Sequence, residues 1–222
     1  MTLQDFRDDL VKAYTDVLGQ PYLEGTAQND AINRALERFT EDTYCLYDDD
    51  VSFTTSSSIG HYDMRDTTVF GQKMLRVLRV WVDGVLIRQV ATQRDMVNLE
   101  SLYIYATPDT PKYWFTQGTS QLVLYPKPDS TYSDTYVSGW YLHPTLSDET
   151  EELVIPDSDL EAAAIECALA LMHPRAAGSA KEHVLDLRQE LEQAKAKIKA
   201  RSGITDAPVV TQRRGTRIFG LN

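Results

Sequence analysis

Four stretches of the chain place an apolar residue at every third or fourth position, which is the period of an amphipathic helix. The first two, residues 2–18 and 29–46, lie near the N-terminus. The other two, residues 158–173 and 179–201, lie near the C-terminus and are separated by a segment that contains proline and glycine. A break of this kind between two helical patterns predicts a helical hairpin.

Polar residues at the ends of the first helices indicate where these helices begin and end. Thr2 followed by Asp5 resembles a capping box, with Asp in place of the usual Glu or Gln. Asn29 or Asp30 is the expected N-cap of the second helix. The acidic run after that helix, residues 48–50, is expected to be a solvated turn rather than a cation site.

The middle of the chain alternates apolar and polar residues, as half-buried β-strands do. Strands are predicted at residues 77–82, 85–90, 103–105, 121–125 and 134–141. Asp83 and Gly84 separate the first two strands and favour a two-residue hairpin turn. Pro126, Pro128 and Asp129 end the fourth strand and predict a tight corner, so we expect this strand and the last one to form a second hairpin.

Together these elements predict an α+β fold. A helical bundle, made of an N-terminal helix pair and a C-terminal helical hairpin, would carry an inserted antiparallel β-rich domain of sandwich or barrel-like form and would end in an extended tail. The expected boundaries are residues 1–47 for the N-terminal helices, 48–147 for the β-domain, 148–202 for the helical hairpin and 203–222 for the tail.

Charge is unevenly distributed along the 222 residues, whose net charge is −11. Residues 1–178 hold 13 basic and 28 acidic side chains, a balance of −15, whereas residues 179–222 hold 9 and 5, a balance of +4. The acidic balance argues against a protein that reads nucleic-acid sequence, since such a protein needs Lys and Arg against phosphate. The asymmetry predicts two surfaces with different partners.

Cysteine content and hydropathy point to a soluble protein folded in a reducing compartment. Cys45 and Cys167 stand alone in helix-like patterns and are expected to be reduced thiols. No apolar run reaches the length of a membrane span, and the N-terminus has no basic region followed by an apolar one. We therefore expect no membrane partner and assembly in a cytoplasm.

The sequence contains no recognisable motif for catalysis or metal binding. Its four histidines are scattered, its glycines form no phosphate-binding loop, and no serine lies in a Gly-x-Ser-x-Gly elbow. Pairs of acidic residues are expected by chance among 33 Asp and Glu. We expect no enzyme activity, no cofactor and no metal, and a hydrolase that uses an Asp pair is the weakest alternative.

The order of these parts, together with a few short motifs, resembles the head-to-tail adaptor (connector, head-completion) proteins of tailed bacteriophages. The most diagnostic motif is L-x-L-x-P-x-P-D, which residues 122–129 match. The proline motif before it departs slightly, because Asp109 and Thr110 stand where a glycine is expected. The resemblance covers residues 29–201 and also includes the V-D-G turn at residues 82–84 and the I-P-D motif at residues 155–157.

The resemblance implies a structural virion protein at the neck of the particle. Such proteins form a ring, typically of twelve copies, under the portal. Their helices surround a channel for double-stranded DNA, their β insertion faces tail or nozzle proteins, and their C-terminal segment docks into the portal. The implied portal-docking residues are Val209, Val210, Arg213, Arg214, Arg217, Ile218, Phe219 and Leu221.

Two further surfaces are assigned by the same reasoning. Asp83 and Gly84 would form the tail-facing tip of the hairpin. Apolar residues occur on both faces of the strand before it, so one face should meet the core and the other a second part of the chain or a neighbouring subunit. The candidate subunit contacts are Val80, Val82, Leu187 and Leu191.

Two other functions remain open from the sequence. One is a tail-completion or stopper protein of the same virion, which would differ mainly in its partner. The other is a monomeric ligand- or carbohydrate-binding β-module. Its pocket would be lined by Tyr103, Tyr105, Tyr113, Trp114, Trp140 and Tyr141, although cross-strand packing is the better explanation of these aromatic residues.

Overall fold

The helical and the strand-forming segments separate into two parts of the molecule. The structure is a computed structural model and describes residues 1–18, 25–99, 106–171 and 181–203. Its helices are α1 (Leu3–Leu18), α2 (Thr26–Thr43), α3 (Thr67–Phe70), α4 (Gln93–Leu99), α5 (Leu160–Leu171) and α6 (Lys181–Arg201). Its strands are β1 (Tyr47–Phe53), β2 (His61–Asp63), β3 (Met74–Val82), β4 (Val85–Leu86), β5 (Arg88–Gln89), β6 (Tyr113–Gln117), β7 (Gln121–Tyr125) and β8 (Thr135–Tyr141).

The four long helices share one apolar core. Each contributes the stripe that its sequence pattern predicts, so the amphipathic reading of these segments is confirmed. The buried members include Leu3, Phe6, Leu10, Ile32, Leu36, Phe39, Ile165, Leu171, Val184, Leu191 and Ile198. Each buried side chain of this size contributes about 1.5–3 kcal/mol by leaving water, so this core is the main source of stability for the helical part.

The starts of α1 and α2 differ in how well the sequence predicts them. Thr2 and Asp5 form the predicted capping box, in which the Asp5 amide donates to Thr2 Oγ1 at 3.2 Å. The predicted cap of α2 is wrong, because this helix begins at Thr26 with Gly25 as its N-cap. Asn29 lies within the helix instead, and its Oδ1 accepts a hydrogen bond from Arg7 at 3.2 Å.

Two four-stranded sheets make up the β part. The first sheet has the order β1-β8-β3-β4 and the second has the order β2-β7-β6-β5. Both send side chains into one shared core, which includes Val51, Phe53, Val77, Val80, Val82, Trp114, Leu122, Leu124 and Val137. Since the described strands form two separate sheets, this part has the layers of a sandwich and not a closed barrel.

The predicted second hairpin is wrong. β7 pairs with β2 and β6 in the second sheet, whereas β8 pairs with β1 and β3 in the first. β7 already has a hydrogen-bonded neighbour on each side, so it has no free edge for β8. The corner from Pro126 to Asp129 therefore takes the chain from one sheet to the other.

The predicted hairpin at Asp83 and Gly84 is confirmed, but its second arm is shorter than expected. Asp83 and Gly84 have φ values of 52° and 70°, as a two-residue turn of this kind requires. β4 pairs with β3, and the chain then crosses to the second sheet, where β5 runs parallel to β6. Ile87 lies at this crossing, with its side chain in the shared core and its amide donating to the Val80 carbonyl at 3.0 Å.

The acidic run is not the solvated turn that the sequence predicted. Asp48, Asp49 and Asp50 lie in β1, and the register with β8 shifts between Asp48 and Val51. Such a bulge adds a residue to one strand, so the run can stay in the strand without burying all three carboxylates.

A second irregularity lies where β3 passes β8. The register shifts twice along this pair, and Gly139 faces Val77. A Cβ atom at position 139 would lie 2.0 Å from the carbonyl oxygen of Arg76. Glycine is therefore required here by the close approach of the two backbones.

The connection from β8 to α5 runs back along the helices. Asn33 donates to the Leu146 carbonyl at 2.8 Å and accepts from the Leu146 amide at 3.0 Å. The His143 amide donates to Thr40 Oγ1 at 3.0 Å, and the Leu3 amide donates to the Glu151 carbonyl at 2.9 Å. This segment, residues 143–153, therefore fixes the β part against α1 and α2.

Candidate assembly surfaces

The hairpin tip presents apolar side chains to solvent. Val85 and Leu86 are 63% and 57% exposed, although both are aliphatic. The Asp83 amide donates to the Asp134 carbonyl at 2.8 Å, which ties the turn to the start of β8. A small apolar surface on a well-anchored turn is suited to contact with another protein.

The outer face of the first sheet extends this surface, and we call it the open face. Leu86 on β4 is opposite Trp81 on β3, which is opposite Tyr136 on β8. In a second row, Arg76 and Tyr47 lie on either side of Trp140, which is 8% exposed and is therefore already covered. Arg76 lies over the Trp140 ring, with 5.9 Å between its guanidinium carbon and the ring centroid, and the centroids of the Tyr47 and Trp140 rings are 5.8 Å apart.

The predicted subunit contacts do not belong to this surface. Val80 and Val82 are 0% and 1% exposed, because residues two apart on a strand point the same way and this direction faces the sandwich core. Leu191 is buried in the helical core, and Leu187 is half-buried against it. We therefore assign Val80, Val82 and Leu191 to the chain's own cores, and Trp81 takes the outward position.

A buried carboxylate joins three helices. The side chain of Glu166 on α5 is 4% exposed and binds Lys195 of α6, with 2.7 Å between Nζ and Oε2. Arg38 of α2 donates from Nε to Glu166 Oε1 at 2.6 Å, and Lys195 also binds Asp42 of α2 at 2.8 Å. Burial lowers the pKa of Lys195, but the hydrogen bonds to Asp42 and Glu166 outweigh it and raise the pKa overall.

This cluster stabilises the helical part and has no feature of a catalytic site. All four charged side chains of the cluster, Arg38, Asp42, Glu166 and Lys195, are used in ion pairs across α2, α5 and α6. In the sequence, this cluster is indicated only by a single Glu on the apolar side of an Ala-rich helix. A search for catalytic motifs does not detect such a residue.

A groove runs along the surface between α1 and α5, and we call it the α1–α5 groove. Its volume is about 370 Å³. Its apolar lining comes from Met1, Phe6, Leu10, Ala13, Tyr14, Leu160 and Ala164, and its acidic lining from Asp9, Asp157 and Glu161. The sequence analysis missed this groove, because its two walls are about 150 positions apart in the chain.

The proposed ligand pocket of the β-module is not assembled. Trp114 lies in the sandwich core, whereas Tyr113 packs on the Tyr125 ring at 6.5 Å on the other side of the second sheet. Trp140 is buried beside Arg76 and Tyr47 on the outer side of the first sheet, and Tyr141 is half-buried beside the sandwich core. The two remaining aromatic residues, Tyr103 and Tyr105, lie outside the described residues.

His143, Cys45 and Cys167 are structural side chains that are wholly or partly buried. His143 is 2% exposed and its Nδ1 contacts the Pro144 carbonyl at 2.7 Å; burial lowers its pKa. Burial raises the pKa of the Cys45 thiol to about 11 and raises that of Cys167 as well, so neither is a ready thiolate nucleophile. Over the described ranges, no three His, Cys, Asp or Glu side chains converge as metal ligands, and no helix could span a membrane.

The expected docking tail, from Val209 to Leu221, lies outside the described residues. No curated protein matches the chain. The family model described as SU10 adaptor protein matches residues 1–214, which include the helices, both sheets and the first part of the tail. The chain therefore belongs to the SU10 adaptor protein family, whose members are structural head-to-tail adaptors of tailed bacteriophages.

Proposed function

We propose that this protein is one subunit of a ring, expected to have twelve copies, between the portal and the tail of the virion. The observation that carries this proposal is the family match over residues 1–214. The ring assembles in the host cytoplasm and stays in the neck of the particle. Its helices line a channel for double-stranded DNA, and its β part provides a platform for tail proteins.

The charge of the body supports passage of DNA without retention. Residues 1–178 carry a balance of −15, and acidic side chains such as Asp8, Asp9 and Glu182 are exposed on the helices. Carboxylates repel phosphate and release no counterions from DNA, so a channel of this sign does not hold the DNA.

The open face and the hairpin tip support contact with other proteins. The tip exposes Val85 and Leu86, and aromatic residues continue the surface across the first sheet. Aromatic and Arg side chains are enriched at the centres of protein interfaces. We assign this surface to a tail protein or to a neighbouring copy.

The basic tail supports docking into the portal. Arg213, Arg214 and Arg217 precede Ile218, Phe219 and Leu221 at the end of an otherwise acidic chain. Such a segment fits an acidic portal surface that has an apolar slot, and it would bind in extended form. An electrostatic contribution to this docking weakens as salt concentration rises.

Native mass measurement with purified portal rings tests the proposal. The full chain should add to the portal in a fixed number of copies, and a chain that ends at Gly203 should not. A variant with Arg213→Gln, Arg214→Gln and Arg217→Gln should bind more weakly than a matched control with Arg34→Gln, Arg94→Gln and Arg188→Gln. All three control positions are exposed, and the net charge of the two variants is equal.

Two results would contradict the proposal. A chain that stays monomeric beside assembled portal rings has no adaptor role, and binding to isolated tail proteins instead would assign it to tail completion. Unchanged portal binding after removal of residues 204–222 would refute the docking role of the tail alone.

A further inference from the structure

The α1–α5 groove is a concave apolar surface on the helical part. Phe6 and Leu10 line it with side chains that are already buried in the helical core, and the half-buried Tyr14, Leu160 and Ala164 give it accessible apolar surface. Its volume of about 370 Å³ is enough for one or two large side chains.

The charged side chains among the described residues that line this groove are acidic, and they are Asp9, Asp157 and Glu161. Burial, and then the nearby carboxylates of Glu161 and Glu190, raise the pKa of the Tyr14 hydroxyl, as expected for a site with a negative potential. An occupant of this groove should therefore combine apolar side chains with positive charge.

The C-terminal segment of this chain has that chemistry. Residues 204–222 contain three Arg and one Asp, and Ile218, Phe219 and Leu221 lie close to the end.

The segment also starts near the N-terminal end of α5, which contributes to the groove lining. Arg201, near the end of α6, binds Asp159 with 2.6 Å between Nη2 and Oδ1. Asp159 lies between Asp157 and Leu160, two residues of the groove lining. The 19 residues that follow Gly203 reach about 60 Å when extended, whereas the eight-residue rise from Phe6 to Tyr14 spans only about 12 Å.

We propose that, in the free subunit, the C-terminal segment from Val209 to Leu221 occupies the α1–α5 groove of its own chain. Phe219 and Leu221 lie on the apolar lining, and the arginines face Asp9, Asp157 and Glu161. Occupation of the same chain is favoured over occupation of a second copy, because a short tether gives an effective concentration on the order of millimolar. The segment is thereby held until the portal displaces it; this last statement alone rests on the proposed function.

Photo-crosslinking in the full chain tests the contact. A benzoylphenylalanine placed at position 219 is irradiated in the free subunit, and the adducts are mapped by mass spectrometry. We expect adducts on residues 6–14 or 160–164. Irradiation of a mixture of isotope-labelled and unlabelled chains should give adducts within one chain; adducts between chains, or adducts elsewhere on the surface, overturn the proposal.

Removal of the acidic lining sharpens the test. The variant Asp9→Asn, Asp157→Asn, Glu161→Gln removes the partners of the arginines and should lower the yield of groove adducts. We expect a decrease of about fivefold, and no more, because each exposed ion pair contributes little by itself. The control Asp49→Asn, Glu182→Gln, Asp186→Asn makes the same change in net charge at exposed positions outside the groove, and should keep the yield. Circular dichroism checks that both variants are folded, and equal yields in the two overturn the proposal.

Portal association of the same variants separates this inference from the proposed function. If both hold, the groove variant binds portal rings faster than the control does, since its tail is already released. Groove adducts in a chain that does not bind the portal would leave the inference intact and refute the proposed function. Portal binding without groove adducts would refute the inference and leave the proposed function intact.

Discussion

The outer faces of the two sheets differ in how far the rest of the chain buries them. The second sheet has Phe115, Val123 and Tyr125 on its outer face, and these side chains are buried in a cluster with Met96 of α4. The first sheet has Trp81 and Tyr136 on its outer face, both half-buried, and leaves Leu86 exposed. Since an antiparallel sheet can face water on one side, both arrangements are stable. The comparison shows that the chain covers the outer face of the second sheet by itself. On the first sheet it buries Ser138 and Trp140 but leaves the part around Leu86 exposed.

The largest effect is expected from Gly139→Ala, which disturbs the middle of the first sheet. A Cβ atom would meet the Arg76 carbonyl at 2.0 Å, so β3 and β8 would have to separate. We expect a loss of about 3 kcal/mol or more in the free energy of unfolding, measured in urea.

Ser138→Ala is the matched control in the same strand. Ser138 is 1% exposed, and its Oγ has no hydrogen-bond partner within the described ranges. Replacing an unsatisfied hydroxyl with a methyl group should leave stability unchanged or raise it slightly. Equal losses for the two variants would show that the close approach at Gly139 is not what limits this sheet.

The next largest loss of stability is expected at Met96, which covers the outer face of the second sheet. Met96 is 0% exposed in the cluster beneath α4, and Met96→Ala should cost about 2–3 kcal/mol of unfolding free energy. Val97 on the same helix is 43% exposed, so Val97→Ala should cost little. If Met96→Ala is neutral, α4 does not stabilise the second sheet and the contrast with the first sheet disappears.

A change remote from both sheets should lower stability without affecting either outer face. Glu166→Gln removes the charge that Lys195 and Arg38 share, and should cost about 2 kcal/mol of unfolding free energy, because Lys195 stays buried with one carboxylate fewer. Glu41→Gln, at an exposed pair with Arg65, should cost less than about 0.5 kcal/mol. Portal and tail binding of the folded Glu166→Gln protein should be normal.

The smallest effect on stability should come from the open face. Val85→Ser with Leu86→Ser should change the free energy of unfolding by less than about 0.5 kcal/mol, since both side chains are already in water. If the proposed function holds, the same double variant should weaken attachment of tail proteins to assembled necks, which pull-down from particle lysates measures. A large loss of stability, with attachment unchanged, would show that these residues support the sandwich and not a partner.

The sequence predicts the parts of this fold that depend on neighbouring residues. The apolar stripes of the long helices, the capping box at Thr2 and the turn at Asp83 and Gly84 are all local features, and all are confirmed. The pairing of β7 and β8 was predicted wrongly because β-pairing depends on distant strands. Two prolines between two strands are compatible with a hairpin and equally with a passage between sheets.

The surfaces were harder to predict than the fold for a similar reason. The adjacent Val80, Trp81 and Val82 indicate a strand with apolar residues on both faces, but not which face is the core. The α1–α5 groove needs Phe6 beside Leu160, and no periodicity within one helix reports that contact. The resemblance to adaptor proteins supplied the family, which the family match confirms.

The segment after β8 also determines how a mechanical load would travel through the molecule. Its hydrogen bonds reach Asn33 and Thr40 of α2 and the start of α1, shortly after the last strand of the first sheet. Because these bonds join the β part to two helices at once, a force that separates the two parts would be shared among them. Such a force would thus reach the helices as a displacement of the whole molecule, with little stretching of the joint.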